Sequence, residues 1–427
     1  MRQRSKFGRR LGPLFWLPAL IITGCAWYQM DQAVPDRVSI IENKEEIFSF
    51  HLPVRTTISS ENQEVALSAE SNIPADQITI SREDSFSMTG ARKGSYQVGL
   101  KLLGIIKLKD IQVDVVDTRY AAPCGFPAGI YLKSDGVMVI GTGRIMGKDG
   151  IETEPAYGIL CSGDYIEAFN GTPLRTKEQL IQEVGRSGGK DCVLSLRRKG
   201  EPVEVAVTPV EGEDGQYRLG AWVRDDTQGI GTITYIDPNG NFGALGHGIS
   251  DSDTGNLVES EGGSLYLADI LGIEKGVAGK PGLLSGIICY GPQSYMGAIF
   301  QNTQEGIFGT MDPKARDAFQ KEVLEVACRQ KVKQGPAVIR SSVSGKLEDY
   351  DIEIQKVDYD SNRKNKSMVI KVTDPKLLEQ TGGIVQGMSG SPIIQNGKLV
   401  GAVTHVFVQD PSRGYGIFAE DMMERQE

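Results

Sequence analysis

Histidine is scarce in this sequence: His51, His247 and His405 are the only three among 427 residues. There is no HExxH segment and no pair of histidines at helical spacing, so a histidine-rich metal site is close to excluded. The six cysteines form no CxxC pair and repeat at no regular spacing, which indicates neither a zinc ribbon nor a disulfide framework. We therefore expect no metal site and no cofactor.

An excess of basic charge is also missing. The formal net charge is -9, whereas binding to nucleic acid requires a basic face, so we expect no nucleic-acid partner. The exception is the beginning of the chain, where five Arg and Lys residues precede an uncharged stretch from Leu11 to Met30. Residues 1–30 are therefore predicted to be a signal or membrane anchor, with the rest of the chain exported.

The anchor has two interpretations. The stretch Ile22-Thr23-Gly24-Cys25 resembles a bacterial lipoprotein cleavage box, in which Cys25 would carry lipid. The alternative is a plain uncleaved anchor with an incidental cysteine. Both place the rest of the protein outside the cytoplasm and tether it to a membrane.

Glycine, by contrast, is abundant, with 52 residues, most of them beside short β-branched runs. This pattern is typical of turns in a mainly β protein. Residues 31–118 alternate polar and apolar side chains, as in Ile78-Thr79-Ile80, and are predicted to form a small β-rich stalk domain. His51 lies in a strand-like run there and is interpreted as a packed residue.

Residues 119–212 match the pattern of a PDZ domain. The stretch from Gly163 to Gly171 fits the GDxIxxxNG signature, and a helix with a capping-box start is predicted from Thr176. PDZ domains capture extended peptides or the carboxyl termini of other proteins by adding a strand. The segment Pro127–Leu132, with Gly129, Ile130 and Tyr131 at its centre, is the expected carboxylate-binding loop, although it departs from the usual Gly-Leu-Gly-Phe.

Residues 213–427 return to strands punctuated by glycine. Asp237-Pro238-Asn239-Gly240 predicts a hairpin turn, and Asn396-Gly397 predicts a second one between Ile393 and Val400. A similar arrangement of Gly-Ala and histidine follows both turns, as expected for two related β-barrels. One helix is predicted from about Pro313 to Lys331.

The stretch Gly387-Met388-Ser389-Gly390-Ser391-Pro392 predicts a nucleophilic serine. A serine needs a base to remove its proton and fixed donors for the oxyanion that forms. A tight turn at Gly387 would let the N–H groups of Gly387 and Ser389 converge on one oxygen. The segment and the hairpin behind it resemble the Gly-Asp-Ser-Gly-Gly-Pro region of trypsin-like proteases, with Met388 replacing the aspartate.

The base must come from the few histidines, since histidine titrates near neutral pH. His247 lies between Gly246 and Gly248, which suits an active-site loop, and is the predicted base. His405 lies in a strand-like run and is interpreted as a core or supporting residue; it is the alternative candidate for the base.

The sequence offers three candidates for the acid that orients the base. Asp374 precedes Pro375, so it fits a helix N-cap as well as a catalytic acid. Asp251 and Asp253, close to His247, are rivals. The order His247, Asp374, Ser389 agrees with that of trypsin-like enzymes.

A PDZ domain followed by Gly-Ala-Leu-Gly-His-Gly-Ile and Thr-Gly-Gly-Ile-Val-Gln-Gly-Met-Ser-Gly-Ser-Pro-Ile resembles the stage IV sporulation protein B peptidases of endospore-forming bacteria. The resemblance implies that Ser389 and His247 are catalytic and that Asp374 is the third member. It also implies self-cleavage, regulated by the PDZ domain, in the space between the two forespore membranes. The implied protein partner is a regulator that restrains an intramembrane metalloprotease, whose release activates a late sigma factor.

The sequence thus predicts a membrane anchor, a small β domain, a PDZ domain and a trypsin-like double β-barrel serine peptidase. The main alternative is a non-catalytic PDZ adaptor that binds a membrane partner. A Ser-Lys protease is a second alternative.

Overall fold

The computed structural model describes residues 24–25, 27–28, 34–48, 56–59, 78–83, 85–102, 106–320, 322–359 and 365–426. The predicted anchor therefore lies almost entirely outside the described residues, and His51 lies outside them too. The protein forms two compact units. The first comprises residues 1–119 with two short later segments, 328–332 and 358–363, and the second comprises the remainder.

The first unit is built from strands, as the alternating pattern predicts. Strands β1, β7, β6 and β3 form one sheet in that order, and β2, β5 and β4 form another. Buried apolar side chains such as Val38, Ile40, Val98 and Val113 make up its core. The strands are β1 (Arg37–Ile41), β2 (Glu45–Phe48), β3 (Thr56–Ser59), β4 (Ile78–Glu83), β5 (Ser85–Gly90), β6 (Gly94–Leu102) and β7 (Ile106–Val116).

The second unit begins at Tyr120. Its first part is called the PDZ region here, because the sequence predicts a PDZ domain over residues 119–212. Its helix, α1, starts at a complete capping box in which Thr176 and Gln179 bond reciprocally, and it ends at the left-handed Gly188. The elements are β8 (Tyr120–Pro123), β9 (Pro127–Thr142), β10 (Ile145–Met146), β11 (Glu152–Thr153), β12 (Tyr165–Phe169), β13 (Thr172–Pro173), α1 (Lys177–Ser187), β14 (Cys192–Arg198), β15 (Glu201–Val207), β16 (Val210–Glu211) and β17 (Tyr217–Arg218).

Beyond the PDZ region, six strands pair in a ring. The order is β9, β20, β22, β23, β19 and β18, and the pairing of β18 with β9 closes it. Apolar side chains including Ile130, Ile233 and Leu265 fill the interior. The elements are β18 (Ala221–Ile236), β19 (Asn241–Ala244), β20 (Ser260–Glu274), β21 (Leu283–Ile288), β22 (Tyr295–Thr303), β23 (Gly306–Met311), α2 (Pro313–Phe319) and β24 (Leu324–Glu325).

Helix α2 is shorter than the sequence predicts. It starts at the cap Asp312, followed by Pro313, and ends at Phe319, whose ring packs edge-on against Phe126. The residues Leu324–Glu325, expected to continue the helix, instead pair with β8 as a strand. Backbone pairing at an open strand edge has therefore overridden the helical periodicity there.

The last part of the second unit is a closed six-stranded barrel in the order β25, β26, β27, β30, β29 and β28. The predicted hairpin turn at Asn396-Gly397 is confirmed, and both residues have positive φ (51° and 73°), as a two-residue turn of this kind requires. The elements are β25 (Gly335–Ser341), β26 (Glu348–Val357), β27 (Met368–Val372), α3 (Pro375–Thr381), β28 (Pro392–Gln395), β29 (Lys398–Phe407), β30 (Asp410–Phe418) and α4 (Ala419–Gln426).

The prediction of a mainly β fold is confirmed. Strands β9 and β18 are each 16 residues long and run from the PDZ region into the six-stranded ring. One end of β9 pairs with β12 of the PDZ region, and the other pairs with β20. The PDZ region and the ring therefore share a continuous sheet.

Candidate active site

Ser389 lies in a tight loop just before β28. Gly387 and Gly390 have φ angles of 100° and 97°, which side chains other than glycine rarely adopt. Thr232, on β18, holds the loop at two points. Its hydroxyl donates to the carbonyl of Gly387 (2.8 Å), and its N–H donates to the carbonyl of Ser389 (3.1 Å).

The N–H groups of this loop alternate between bonded and open. Those of Gln386, Met388 and Gly390 donate to backbone carbonyls at 2.7–3.1 Å. Within the described residues, the N–H groups of Gly387 and Ser389 have no acceptor. An oxyanion site requires N–H donors that are not already bonded, and the N–H groups of Gly387 and Ser389 meet this requirement.

Strand β29 brings the serine and two histidines together. The Ser389 hydroxyl donates to the carbonyl of Thr404 at 2.6 Å. The next residue, His405, stacks against the ring of His247 with centroids 4.8 Å apart and planes inclined by 35°. Ser389 and His247 therefore contact two adjacent residues of β29, Thr404 and His405.

His247 has a defined tautomer. Its Nδ1 lies 2.8 Å from the carbonyl oxygen of Gly248. A carbonyl oxygen only accepts hydrogen bonds, so Nδ1 carries the proton and Nε2 keeps its lone pair. Gly248 itself is tightly packed, because a Cβ there would lie 2.3 Å from the carbonyl oxygen of Thr303. The backbone therefore orients the imidazole for accepting a proton at Nε2.

The pKa values of both histidines are lowered, which favours the neutral imidazole at neutral pH. Burial lowers the pKa of His247 below its usual value, and the bond to Gly248 only partly opposes this effect. Partial desolvation lowers the pKa of His405 to about 4, and the charges of His247 and Lys366 act in the same direction. At neutral pH the imidazole of His247 is therefore an unprotonated base.

Asp374 is the N-cap of α3, which confirms the structural alternative considered for this residue. Its carboxylate accepts the N–H of Leu377 at 2.9 Å and the N–H of Asp351 at 3.4 Å. Within the described residues, no hydrogen bond joins Asp374 to His247. The group that meets Nδ1 of His247 is the carbonyl of Gly248, and the role of Asp374 as catalytic acid stays a prediction.

The rival acids Asp251 and Asp253 are occupied elsewhere. The carboxylate of Asp251 is fully buried, accepts the N–H groups of Asp253 and Thr254, and pairs with Arg224. Asp253 also contacts Arg224, at 3.1 Å. Both carboxylates therefore bind within their own loop and to β18.

The expected carboxylate-binding loop of the PDZ region is a strand, which corrects the sequence interpretation. Gly129, Ile130 and Tyr131 lie inside β9 and pair on one side with β18 and on the other with β20. Their backbone groups face neighbouring strands, so these residues do not form an open loop. The physical reason is that the apolar side chain of Ile130 belongs to the interior of the six-stranded ring.

Two contributors to the site, Thr404 and His405, were missed or undervalued at the level of sequence. The contact with the carbonyl of Thr404 could not be predicted from the sequence, because every residue has a backbone carbonyl. The signal for His405 was the scarcity of histidine, since two of only three lie at one site.

A serine, a neutral histidine and two open N–H donors at the junction of two β-barrels are the groups that the class of serine hydrolases uses. Residues 215–423 match the family model of the SpoIVB peptidases, family S55. This match covers the peptidase region, and the protein is a serine peptidase, as the sequence motifs indicate.

Shorter and more distant similarities accompany this match. A stretch of 67 residues, 16% of this chain and 15% of the relative, is 40% identical to the putative zinc metalloprotease LL2128 of Lactococcus lactis. The match thus spans a small part of that relative. The PDZ domain of an SdrC-like protein from Listeria monocytogenes is 19% identical, covering 21% of this chain and 87% of its own, with a TM-score of 0.18. The Rv3671c protease from M. tuberculosis is 16% identical over 46% of this chain and 72% of its own, with a TM-score of 0.26. No assignment rests on similarities this low.

Proposed function

We propose that the protein is an exported, membrane-tethered endopeptidase with a trypsin-like pair of barrels. It cleaves itself and then a regulatory membrane protein that restrains an intramembrane metalloprotease, in the signalling that activates a late sigma factor during endospore formation. The family match and the Ser389–Thr404–His405–His247 arrangement support the peptidase. The sporulation role, the partner and the location between the forespore membranes rest on the resemblance in sequence. Within the described residues, no helix has the length and apolar character needed to cross a bilayer.

The mechanism begins with a rotation of the Ser389 side chain. Its hydroxyl now donates to Thr404 and must turn to donate to Nε2 of His247. His247 then accepts the proton as the oxygen attacks the peptide carbonyl, and later it returns a proton to the leaving amine. Because the bond from Nδ1 to Gly248 fixes the ring, the proton can only be accepted at Nε2.

The oxyanion of the tetrahedral intermediate is bound by the two open donors. The N–H groups of Gly387 and Ser389 have no partner among the described residues, so stabilising the oxyanion breaks no bond that already exists. Removing one such donor in a well-studied protease costs about 3–4 kcal/mol of transition-state stabilisation. These donors are the single observation that best distinguishes this site from an ordinary turn.

Self-cleavage is tested by mapping the mature N-terminus of the wild type beside Ser389→Ala. We expect trimming of the wild type and an untrimmed, folded Ser389→Ala protein. Ser391→Ala is the matched control, because Ser391 is the neighbouring serine but is fully buried. Unchanged trimming of purified Ser389→Ala would contradict self-cleavage by this serine.

Catalysis itself is tested separately with a fluorophosphonate probe, which labels only an activated serine. We expect labelling of the wild type that is lost in both Ser389→Ala and His247→Ala. A non-catalytic adaptor would not be labelled at all. A Ser-Lys peptidase would still be labelled after His247→Ala, so the two variants together separate all three mechanisms.

A further inference from the structure

The loop that carries the predicted base is a small hairpin, here called the His247 hairpin (residues 247–258). The N–H of Asp251 donates to Asn256 and that of Val258 donates to Ile249, at 2.9 and 3.0 Å. The side chain of Asn302 closes its base, bonding the N–H and carbonyl of Ile249 and the carbonyl of Val258 at 2.8–2.9 Å. His247 therefore moves with this hairpin.

The tip of the His247 hairpin forms ion pairs with the part of β18 that belongs to the PDZ sheet. The buried carboxylate of Asp251 pairs with Arg224, and the same guanidinium contacts Asp253 at 3.1 Å. Arg224 lies on β18 opposite Met138, at the end where the strand forms part of the PDZ sheet. A buried carboxylate is costly unless it is paired, so this contact fixes the tip strongly.

The next residue on the same strand contacts the PDZ helix. Asp225 accepts both the N–H and the ammonium of Lys177, at 2.9 and 2.7 Å, at the start of helix α1. The pairing of β18 with β9 is irregular at this point, between Arg224 and Asp226. Two adjacent residues of β18 therefore contact the His247 hairpin and the start of α1.

A second set of contacts joins the far end of the hairpin to the PDZ signature. The hydroxyl of Tyr165, in the GDxIxxxNG stretch, accepts the N–H of Glu259 at 3.1 Å. Arg197, on β14, donates to the carboxylate of Glu259 at 2.8 Å. The tip of the His247 hairpin and the residue that follows its C-terminal end are therefore both held by side chains from strands of the PDZ sheet.

We infer that Arg224 is a positioning residue of the peptidase. Its ion pair with Asp251, at the tip of the His247 hairpin, holds His247 in place. The PDZ sheet is then part of the support of the active site as well as a candidate binding module. This inference rests on the proposed role of His247.

The test measures the rate of fluorophosphonate labelling of the full-length protein as a function of pH. Arg224→Ala and Asp251→Asn are each expected to slow labelling about 10- to 100-fold, the cost of small misplacements of catalytic groups. The double variant should be no slower than either single variant, because both remove the same contact. Arg224→Lys, which keeps the positive charge, should recover part of the rate.

A pH profile separates positioning from a general loss of folded protein. When the hairpin tip is released, His247 becomes more hydrated and its pKa rises toward the usual value, so the acid limb of the profile should move to higher pH in Arg224→Ala. The titratable groups beside its ring are His405, stacked on it, and Lys366, which faces His405, and neither is altered. Arg144→Ala is the control, because it removes an exposed ion pair with Glu152 in the PDZ region and should label at the wild-type rate.

The outcomes are distinguishable. Arg224→Ala that labels at the wild-type rate with an unshifted acid limb would overturn the positioning role and leave the peptidase intact. A wild type that is not labelled would overturn the proposed function itself. If Arg224→Ala fails to fold, Arg224→Lys and Asp251→Asn carry the test, and wild-type rates in both would refute the inference.

Discussion

At the scale of single residues, the chemistry depends on the direction in which a few backbone groups point. The carbonyls of Gly248 and Thr404 orient the imidazole of His247 and the hydroxyl of Ser389, respectively. The N–H groups of Gly387 and Ser389 remain open among the described residues. Side-chain identity supplies the nucleophile and the base, and the backbone supplies their alignment.

The pH dependence follows from the buried base. Labelling by fluorophosphonate needs neutral His247, and burial lowers the pKa of this residue, so the acid limb should have its midpoint below 6.5. The rate should be constant at neutral pH and fall only as the pH drops through the lowered pKa. A midpoint at or above 6.5 would contradict the burial of the base.

The glycine after the nucleophile has no room for a side chain. A Cβ at Gly390 would lie 2.1 Å from the carbonyl oxygen of Thr232, and φ is 97°. We expect Gly390→Ala to lower the free energy of unfolding by about 3 kcal/mol, measured by chemical denaturation. Gly397→Ala is the control: φ is also positive (73°) but the space is open, so a loss of only about 1 kcal/mol is expected. Equal losses would show that backbone conformation, and not crowding, governs both positions.

At the scale of elements, the capping role of the Asp374 carboxylate at helix α3 can be tested separately from its predicted catalytic role. Asp374→Ala should cost about 1 kcal/mol of stability through loss of the N-cap, whereas Asp374→Asn should keep the cap and its stability. Because no bond joins Asp374 to His247 in the described structure, we expect Asp374→Asn to be labelled by fluorophosphonate within about tenfold of the wild-type rate. A fall of about 10⁴-fold, as seen when a triad acid is replaced, would establish Asp374 as the acid.

Strand β29 is the element on which the site is assembled. Its pairing with β28 ends near Ala402, and the following residues, Thr404 and His405, meet the serine and the base. The hairpin turn at Asn396-Gly397 and the shift in register between Ile393 and Ile394 together set the position of Thr404 relative to Ser389.

At the scale of the whole molecule, the PDZ region and the peptidase are not separable at residue 213, the predicted start of the peptidase. Strands β8 and β9 lie before that residue yet pair with β18, and β9 also pairs with β20. A fragment 213–427 would leave the six-stranded ring one strand short. We expect it to lack a cooperative thermal transition and fluorophosphonate labelling.

The matched fragment for that experiment is 120–427, which retains both strands. It should show a cooperative transition by circular dichroism and should be labelled. Cooperative unfolding and normal labelling of 213–427 would show that β9 is dispensable for the ring, contrary to its pairing on both sides.

The sequence by itself determined the local features of this protein. Turn residues such as Asn396-Gly397, the caps Thr176 and Asp374, and the alternating strands depend on neighbours a few residues away, so their patterns are visible in the sequence. The sequence also indicated the predicted nucleophile and the predicted base, because their glycine-rich surroundings are local.

Only the tertiary structure decided what depends on distant pairing. It placed Gly129–Tyr131 inside a strand, shortened α2, and brought His405 against His247. It also tied the base to the PDZ sheet through Arg224. The physical reason is that strand partners and buried ion pairs join residues far apart in sequence, and their free energies outweigh local preferences without leaving a local pattern.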